Sequence, residues 1–396
     1  ALREILREDD TPEEVEFFVN MFRELLSVFS RPFHQETFDF GDQSFFDEIR
    51  AQLTANNAFV VYRKPNTTLV KAIFQNDAKL EYVKDFTESG FVFAPFDGLD
   101  KAILIRPEKV METGHVAVIP NDEIHVSPEA FSTPDAKEFH INLVVNGIKT
   151  IQNSNLKKVV VSRKVEVNCE KSPIELFITL LENYTNTFCY LWYHPKVGIW
   201  LGATPEVLLK TENNNFETSS LAATQVYLEN ENPNWGAKEI EEQKLVTQFI
   251  EEALLNKVDN LKIGERTTIK AGNLLHLRTI IKGRMRNNLL AIVSALHPTP
   301  ATCGLPKNEA KEFILANENY SRKYYTGFLG ELNFKEEIHR SKTKRNTENR
   351  AYSAIKKKSS LYVNLRCAEI LKEKALIFVG GGITELSNPQ KEWEET

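Results

Sequence analysis

The chain has 396 residues, 49 of them Lys or Arg and 55 Asp or Glu, for a formal net charge of −6. With 42% hydrophobic and 26% charged residues it has the balance of a globular protein with a sizeable core, which excludes a disordered or collagen-like chain. The mild acidity argues against general nucleic-acid binding but not against a small anionic ligand, because a pocket's charge is local.

No apolar run reaches the ~18 residues of a membrane-spanning helix, so no membrane partner is expected. Cys169, Cys189, Cys303 and Cys367 stand far apart, with no CxxC pair and no secretory signal. A reducing, cytoplasmic setting is expected rather than a disulfide framework. Length alone allows two or three domains at ~150 residues each. Yet no Pro-rich or Gly/Ser linker divides the chain, and no repeat at a solenoid period is present.

In chain order, TPEEVEFFVNMFRELLSVF predicts a helix, with Thr11 as cap, Pro12 in its first turn and Glu14 three residues after the cap. Strand-like runs follow at NAFVVYRKP, GFVFAPFD, KAILIRP and HVAVIP. KEFHINLVVNGIKTIQNS reads as a helix, and KKVVVSRKVEV as a strand of alternating apolar residues. SPIELFITLLENY is helical, and CYLWYHPKVGIWLGATPE reads as a hairpin turning at Pro195–Gly198. A long helix covers about Lys238–Leu255, and strands such as SLYVNLRCAEI and KALIFVGGG mix with helices in the remainder. Elements interspersed without βαβ alternation predict an α+β fold rather than a doubly wound parallel sheet.

The most biased segment, Arg340–Lys358, holds eight Lys or Arg against one Glu. It reads as an exposed loop between two strands, with a nucleic-acid patch as the rival. Phosphate-loop, HExxH and GxSxG signatures are absent. His297 and Cys303 in HPTPATCGLP could form a nucleophile pair, but two Pro and a Gly favour a rigid turn.

Two constellations are more informative. On a helical wheel Leu245, Val246, Phe249, Ile250, Ala253 and Leu254 form one stripe, with Glu242 near its centre and Glu239 three residues back. Glu242 is then either an inward carboxylate needing a partner or metal, or a Glu at an exposed helix start. Near the C-terminus, ALIFV runs into Gly380–Gly381–Gly382, which suits backbone contact with an anion as a nest or helix start, or a tight turn. Next comes SNPQKEWEET, with Ser387 or Asn388 as cap, Pro389 at the first helical position, and Glu392 and Glu395 one turn apart. Such carboxylates suit a hard cation of the Mg2+ type.

Together these segments resemble the chorismate-utilising enzymes, and within them the isochorismate synthases. The matching stretches fall in family order over about residues 156–396: KKVVVSRK, LGATPEVLL, SLAATQ, KEIEEQKLV, LLHL, HPTPATCGLP, SRKYYTGFLGEL, NLRCAEI, VGGGITELSNP and EWEET. The N-terminal third matches weakly, mainly through GFVFAPFD. The resemblance implies the chorismate-binding fold as one catalytic unit over residues 1–396, with 131–396 as its core. It also implies Mg2+-dependent loss of the C4 hydroxyl of chorismate with addition of water at C2, in menaquinone or siderophore biosynthesis.

By the same resemblance Lys158 is the general base and Glu206 the general acid. Glu242 and Glu395 are the Mg2+ ligands, with Glu239 and Glu392 beside them. Ala223, Thr224, His276, Tyr325, Arg366, Gly380, Gly381 and Gly382 bind substrate. Read without the family, Lys158 is a solvated lysine at a strand edge and Glu206 a helix-start residue after Pro205. Ammonia-using anthranilate and aminodeoxychorismate synthases typically carry Gln at position 158, so Lys158 favours water and no glutaminase subunit is expected. Salicylate synthases share the lysine and are the runner-up.

Two departures from the family stand out. Ala223 replaces the Gly of Leu-Ala-Gly-Thr, where an added Cβ would narrow the pocket if the position needs φ > 0. The family also continues beyond EWEET into a helix with a substrate-binding lysine, and both ends of this sequence are expected to be trimmed or unfinished.

Overall fold

The computed structural model describes residues 28–29, 43–114, 134–227, 233–271, 274–286, 288–339, 353–394 and 396. All but Val28 and Phe29 of the expected helix from Thr11, the HVAVIP run, Glu395 and most of the basic loop lie outside them, as do the side chains of Thr224 and Glu242.

Helix α1 (Gln43–Thr54) leads into strands β1 (Phe59–Arg63), β2 (Val70–Phe74), β3 (Gly90–Ala94), β4 (Ile103–Ile105) and β5 (Lys109–Thr113). Helix α2 (Pro134–Asn153), β6 (Lys158–Asn168) and α3 (Pro173–Asn183) follow, then β7 (Phe188–His194), β8 (Gly198–Thr204), β9 (Val207–Glu212) and β10 (Asn215–Val226). Helix α4 (Ala237–Leu254) precedes the long hairpin of β11 (Val258–Ala271) and β12 (Leu274–Met285). The chain continues through α5 (Leu289–Leu296), β13 (Gly304–Leu305), α6 (Lys307–Asn317), β14 (Phe328–His339) and β15 (Ser353–Val363). It closes with β16 (Cys367–Ile370), β17 (Lys374–Ile383) and α7 (Pro389–Glu394).

The strands form two sheets, ordered β13-β6-β17-β16-β8-β7-β1-β2-β5 and β11-β12-β10-β9-β15-β14-β3-β4, with neighbours antiparallel. This is the expected α+β class. Alternation along each strand sends one set of side chains between the sheets and the other outward. On β1, Val60 and Tyr62 join an aromatic core between the sheets with Phe91, Phe93, Phe188, Trp192 and Trp200, while Phe59 and Val61 face α1 and α3. Helices α4 and α5 cover the outer face of the second sheet through Val246, Ile250, Leu254, Ile292 and Val293. Burial on both faces explains why β1 and β7 read as continuous apolar runs.

Local signals worked where the chemistry is short-range. Helix α3 starts at a capping box, where Ser172 Oγ accepts from Glu175 N–H at 3.3 Å and Ser172 N–H donates to the Glu175 carboxylate at 2.6 Å. The hairpin turns where expected, with His194 paired to Gly198. In α4 the buried stripe runs through Gln243, Val246, Ile250 and Leu254, and Leu245 is 38% exposed. The apolar pattern missed this because Gln243 is polar. Its amide is buried by donating to the hydroxyls of Ser220, Thr247 and Thr279 at 3.0, 3.1 and 2.8 Å.

Candidate active site

The triple glycine is neither a nest nor a turn. Gly380, Gly381 and Gly382 are strand residues of β17, paired with Ser162, Val161 and Val160 of β6. Strand β16 accompanies β17 only as far as Ile377, so the other flank of the three glycines has no strand beside it among the described residues. Polar side chains crowd the space a Cβ would take at each, joined at Gly380 by the backbone of β6, where a Cβ would lie 2.7 Å from Val161 O. A Cβ on Gly382 would lie 2.8 Å from Lys158 Cε, one on Gly381 3.0 Å from Glu392 Oε2, and one on Gly380 3.1 Å from Tyr325 Oη. Alternation puts the contacts of Gly380 and Gly382 on the inter-sheet face. Gly381 points to the other face, where α7 packs on α2 and carries the buried Glu392.

Lys158 begins β6 and is half-buried, with its stem against Gly382 rather than projecting from a solvated edge. Tyr325 is buried, its ring stacked on Phe378 at 5.2 Å. It opens a turn in which Tyr325 N–H donates to Arg322 O at 2.9 Å and Gly327 N–H to Tyr324 O at 3.0 Å. A Cβ on Gly327 would meet Ala94 O at 2.0 Å, so the backbone itself fills that space.

Glu206 lies in the extended link between β8 and β9, not at a helix start. Its carbonyl accepts from Val363 N–H at 3.0 Å, and its carboxyl takes a long 3.5 Å bond from the Thr299 hydroxyl. Burial pushes that carboxyl from 4.5 up to about 7, outweighing the Thr299 bond, which acts in the opposite direction. A cavity of about 30 Å3 lies beside it, walled by Val246, Ile250 and Thr299 among others.

SLYVNLRCAEI is not one strand: β15 ends at Val363 and β16 starts at Cys367, with Arg366 at φ +48° in the bend between them. Asn364 holds this bend to the Tyr325 turn. Its N–H donates to Gly327 O and its O accepts from Thr326 N–H, both at 2.9 Å, while its side chain accepts from Tyr190 Oη at 2.6 Å. Arg366 O accepts from Ala203 N–H at 3.1 Å. His276 joins the same corner: its Nδ1 lies 3.3 Å from Ala223 O, and burial, then the charge of Arg366, lower its pKa.

Ala223 has φ +61° and sits where β10 slips against β12, with Ala222 opposite Leu277 and Thr224 opposite His276. The backbone here is left-handed, the conformation that suits the Gly of Leu-Ala-Gly-Thr.

The alternative nucleophile pair loses support. His297 Nε2 lies 3.2 Å from Pro95 O, while Cys303 Sγ bonds Lys307 O at 3.6 Å and burial pushes its thiol up to about 11. These are fixed turn residues with an inert thiol. At the rim of the basic segment, Lys356 pairs with Glu212, and Lys358 with Glu336.

For a metal, Glu392 offers a buried carboxylate, and Glu239 curls back so that a Cβ on Gly236 would be 2.5 Å from its Oε2. Among the described residues no three His, Cys, Asp or Glu side chains converge on one point. The expected donors are all carboxylate oxygens, the ligand type a hard Mg2+ ion takes.

Compared with known proteins, residues 104–338 match the family model for chorismate binding enzymes. The chain belongs to that family. It is 26% identical over 279 residues to the vibriobactin-specific isochorismate synthase of Vibrio cholerae, a match covering 67% of this chain and 65% of that protein. It therefore spans slightly less than two thirds of that relative. Isochorismate synthase DhbC of Bacillus subtilis is 25% identical over 331 residues, 76% of each chain. The crystal structure of a Bacillus anthracis protein, described as a putative 2,3-dihydroxybenzoate-specific isochorismate synthase, superposes with a TM-score of 0.67. It is 22% identical, with 88% of this chain and 96% of that one covered, and it establishes the shared fold.

In this chorismate-binding fold the structure brings Lys158, Tyr325 and the glycines together on β6 and β17. Separately it gathers His276, Ala223 and Arg366 at the β10–β12 bulge. Thr299, Asn364 and the Glu318–Arg322 pair were not singled out in the sequence. Thr299, Arg322 and Asn364 nonetheless fall within the stretches HPTPATCGLP, SRKYYTGFLGEL and NLRCAEI, whereas Glu318 falls in none of them.

Proposed function

We propose that the protein is an isochorismate synthase that converts chorismate to isochorismate, with the whole chain as one catalytic unit. The observation that carries this reading is the place of the Glu206 carboxyl, half-buried beside a small cavity and bonded only by the Thr299 hydroxyl at 3.5 Å, where burial raises it to about 7 and favours its protonated form near neutral pH. An acid with that poise suits protonation of a departing hydroxyl. Lys158 accepts the proton of the water that adds at C2, and Glu206 gives its proton to the C4 hydroxyl, which leaves as water. One proton is taken and one released, so the reaction is a net isomerisation.

Arg366 suits a carboxylate of the substrate through its planar fork. His276, Tyr325, Ala223, Thr224 and the exposed flank of Gly380–Gly382 are proposed to line the pocket. Mg2+ held by Glu242 and Glu395, with Glu239 and Glu392 nearby, would neutralise the ring carboxylate. No glutaminase or nucleic-acid partner belongs to this reading, and it places the enzyme in the cytoplasm; among the described residues no helix is long and apolar enough to cross a membrane. Menaquinone and siderophore routes would draw on the same product.

Incubation with chorismate and Mg2+, followed by separation of products, tests the reading. Isochorismate supports it, salicylate with pyruvate replaces it by salicylate synthesis, and unchanged chorismate refutes it.

A further inference from the structure

Strand β6 carries Lys158, yet among the described residues its outer edge is covered by a strand for two residues only, where β13 pairs Leu305 with Lys158 and Gly304 with Val159. Beyond that point two charged side chains complete the ladder. Glu318 Oε1 accepts from Ser162 N–H and Ser162 Oγ, each at 2.8 Å, and Arg322 Nη2 donates to Val160 O at 2.6 Å. The pair itself is bidentate, with Nε to Oε2 at 2.8 Å and Nη2 to Oε1 at 2.5 Å, and each side chain is 2% exposed.

Every N–H of the guanidinium has a partner. Nη1 donates to Thr302 O at 3.0 Å and to Thr326 Oγ1 at 3.3 Å, and the group lies over the Phe96 ring at 4.7 Å. Thr302 is the other end of the connection: its hydroxyl is 3.1 Å from that of Thr299, which bonds Glu206. Thr326 follows Tyr325 in the pocket turn. One buried guanidinium thus touches the strand of the proposed base, the turn that contacts the proposed acid, and the turn carrying Tyr325.

We propose that the Glu318–Arg322 pair is a positioning device that sets Lys158 and Glu206 in register with each other, an inference that rests on the isochorismate synthase reading above. A buried ion pair is a poor source of net stability, since desolvation offsets most of its attraction. Its use here is geometric: five donors in a rigid fork fix three segments that are remote in sequence. Neither residue touches the reacting atoms.

The test compares chorismate turnover of the wild-type protein with R322K, which keeps the charge but loses the fork, and with Ser162→Ala, which removes one of the four bonds to Glu318. Folding is checked by circular dichroism and thermal melting. R322K should lower kcat about tenfold or more with a much smaller rise in KM, because the acid and base lose alignment while only the Tyr325 turn is loosened among the proposed binding groups. Ser162→Ala should lower kcat about threefold with the same KM.

Wild-type turnover with folded R322K of unchanged kcat, or with kcat and KM altered in equal proportion, overturns the positioning role alone. If R322K does not fold, unchanged kcat in Ser162→Ala overturns it. A wild-type protein that leaves chorismate unconverted overturns the functional reading and this inference with it.

Discussion

Burial of the Glu206 carboxyl and the Thr299 hydroxyl bond act on the same group in opposite directions, and the balance at about 7 sets two measurable behaviours. Turnover should fall as pH rises through about 7, when the acid loses its proton, and Glu206→Gln should cost about 100-fold or more in kcat. Stability falls in the same direction, over a lower window. Between 4.5 and 7 the folded protein holds a proton that the unfolded chain has released, so stability falls as pH rises through that window. Glu206→Gln removes that loss. Relative to wild type it should be more stable at pH 8 than at pH 4, by at most about 3 kcal/mol. Denaturant melts at the two pH values check this, and an equal difference at both would show that the carboxyl is not enclosed. The resemblance implied a protonated acid at Glu206, but the burial that raises it comes from walls remote in sequence, such as Val246, Ile250 and Thr299.

At the scale of elements, β17 and the bulge in β10 carry the argument. Gly382→Ala would place a methyl group 2.8 Å from Lys158 Cε. The expected result is a folded protein with kcat reduced about tenfold or more, since the amine and not the strand must move. Wild-type kcat would show that Lys158 is not seated there for catalysis. Ala223 keeps φ +61°, a conformation that costs an L-residue roughly 1–2 kcal/mol. Ala223→Gly should recover about 0.5–1 kcal/mol after the entropy of Gly is subtracted, raising the melting midpoint by about 1 °C. A lower midpoint would mean that the methyl group packs usefully.

These elements also mark how far local reading reached. The Ser172 box and the Pro195–Gly198 hairpin were legible because their partners are a few residues apart. KALIFVGGG reads as a strand, yet GGG by itself reads equally as a nest, helix start or turn, and the strand makes sense only once Lys158, Glu392 and Tyr325 are seen to occupy the space. The bend at Arg366 is fixed by Asn364 bonding Tyr190, Thr326 and Gly327, contacts that lie outside any sequence window.

Over the whole molecule, two antiparallel sheets enclose an aromatic core between them, and helices cover their outer faces. The proposed base lies on one sheet, and the proposed acid leaves that sheet toward the other in the β8–β9 link. Chemistry of this kind needs both groups held across a gap, which explains why the motifs spread over most of the chain. The net charge of −6 says little about the ligand, because its negative charges would be met by Arg366, backbone N–H groups and Mg2+.

The most direct test of the central claim is product analysis after incubating wild-type protein and Lys158→Ala with chorismate, with and without Mg2+. The account predicts isochorismate from wild type only when Mg2+ is present, and none from a folded Lys158→Ala. Unchanged chorismate with wild type, or near-normal isochorismate from Lys158→Ala, would contradict it.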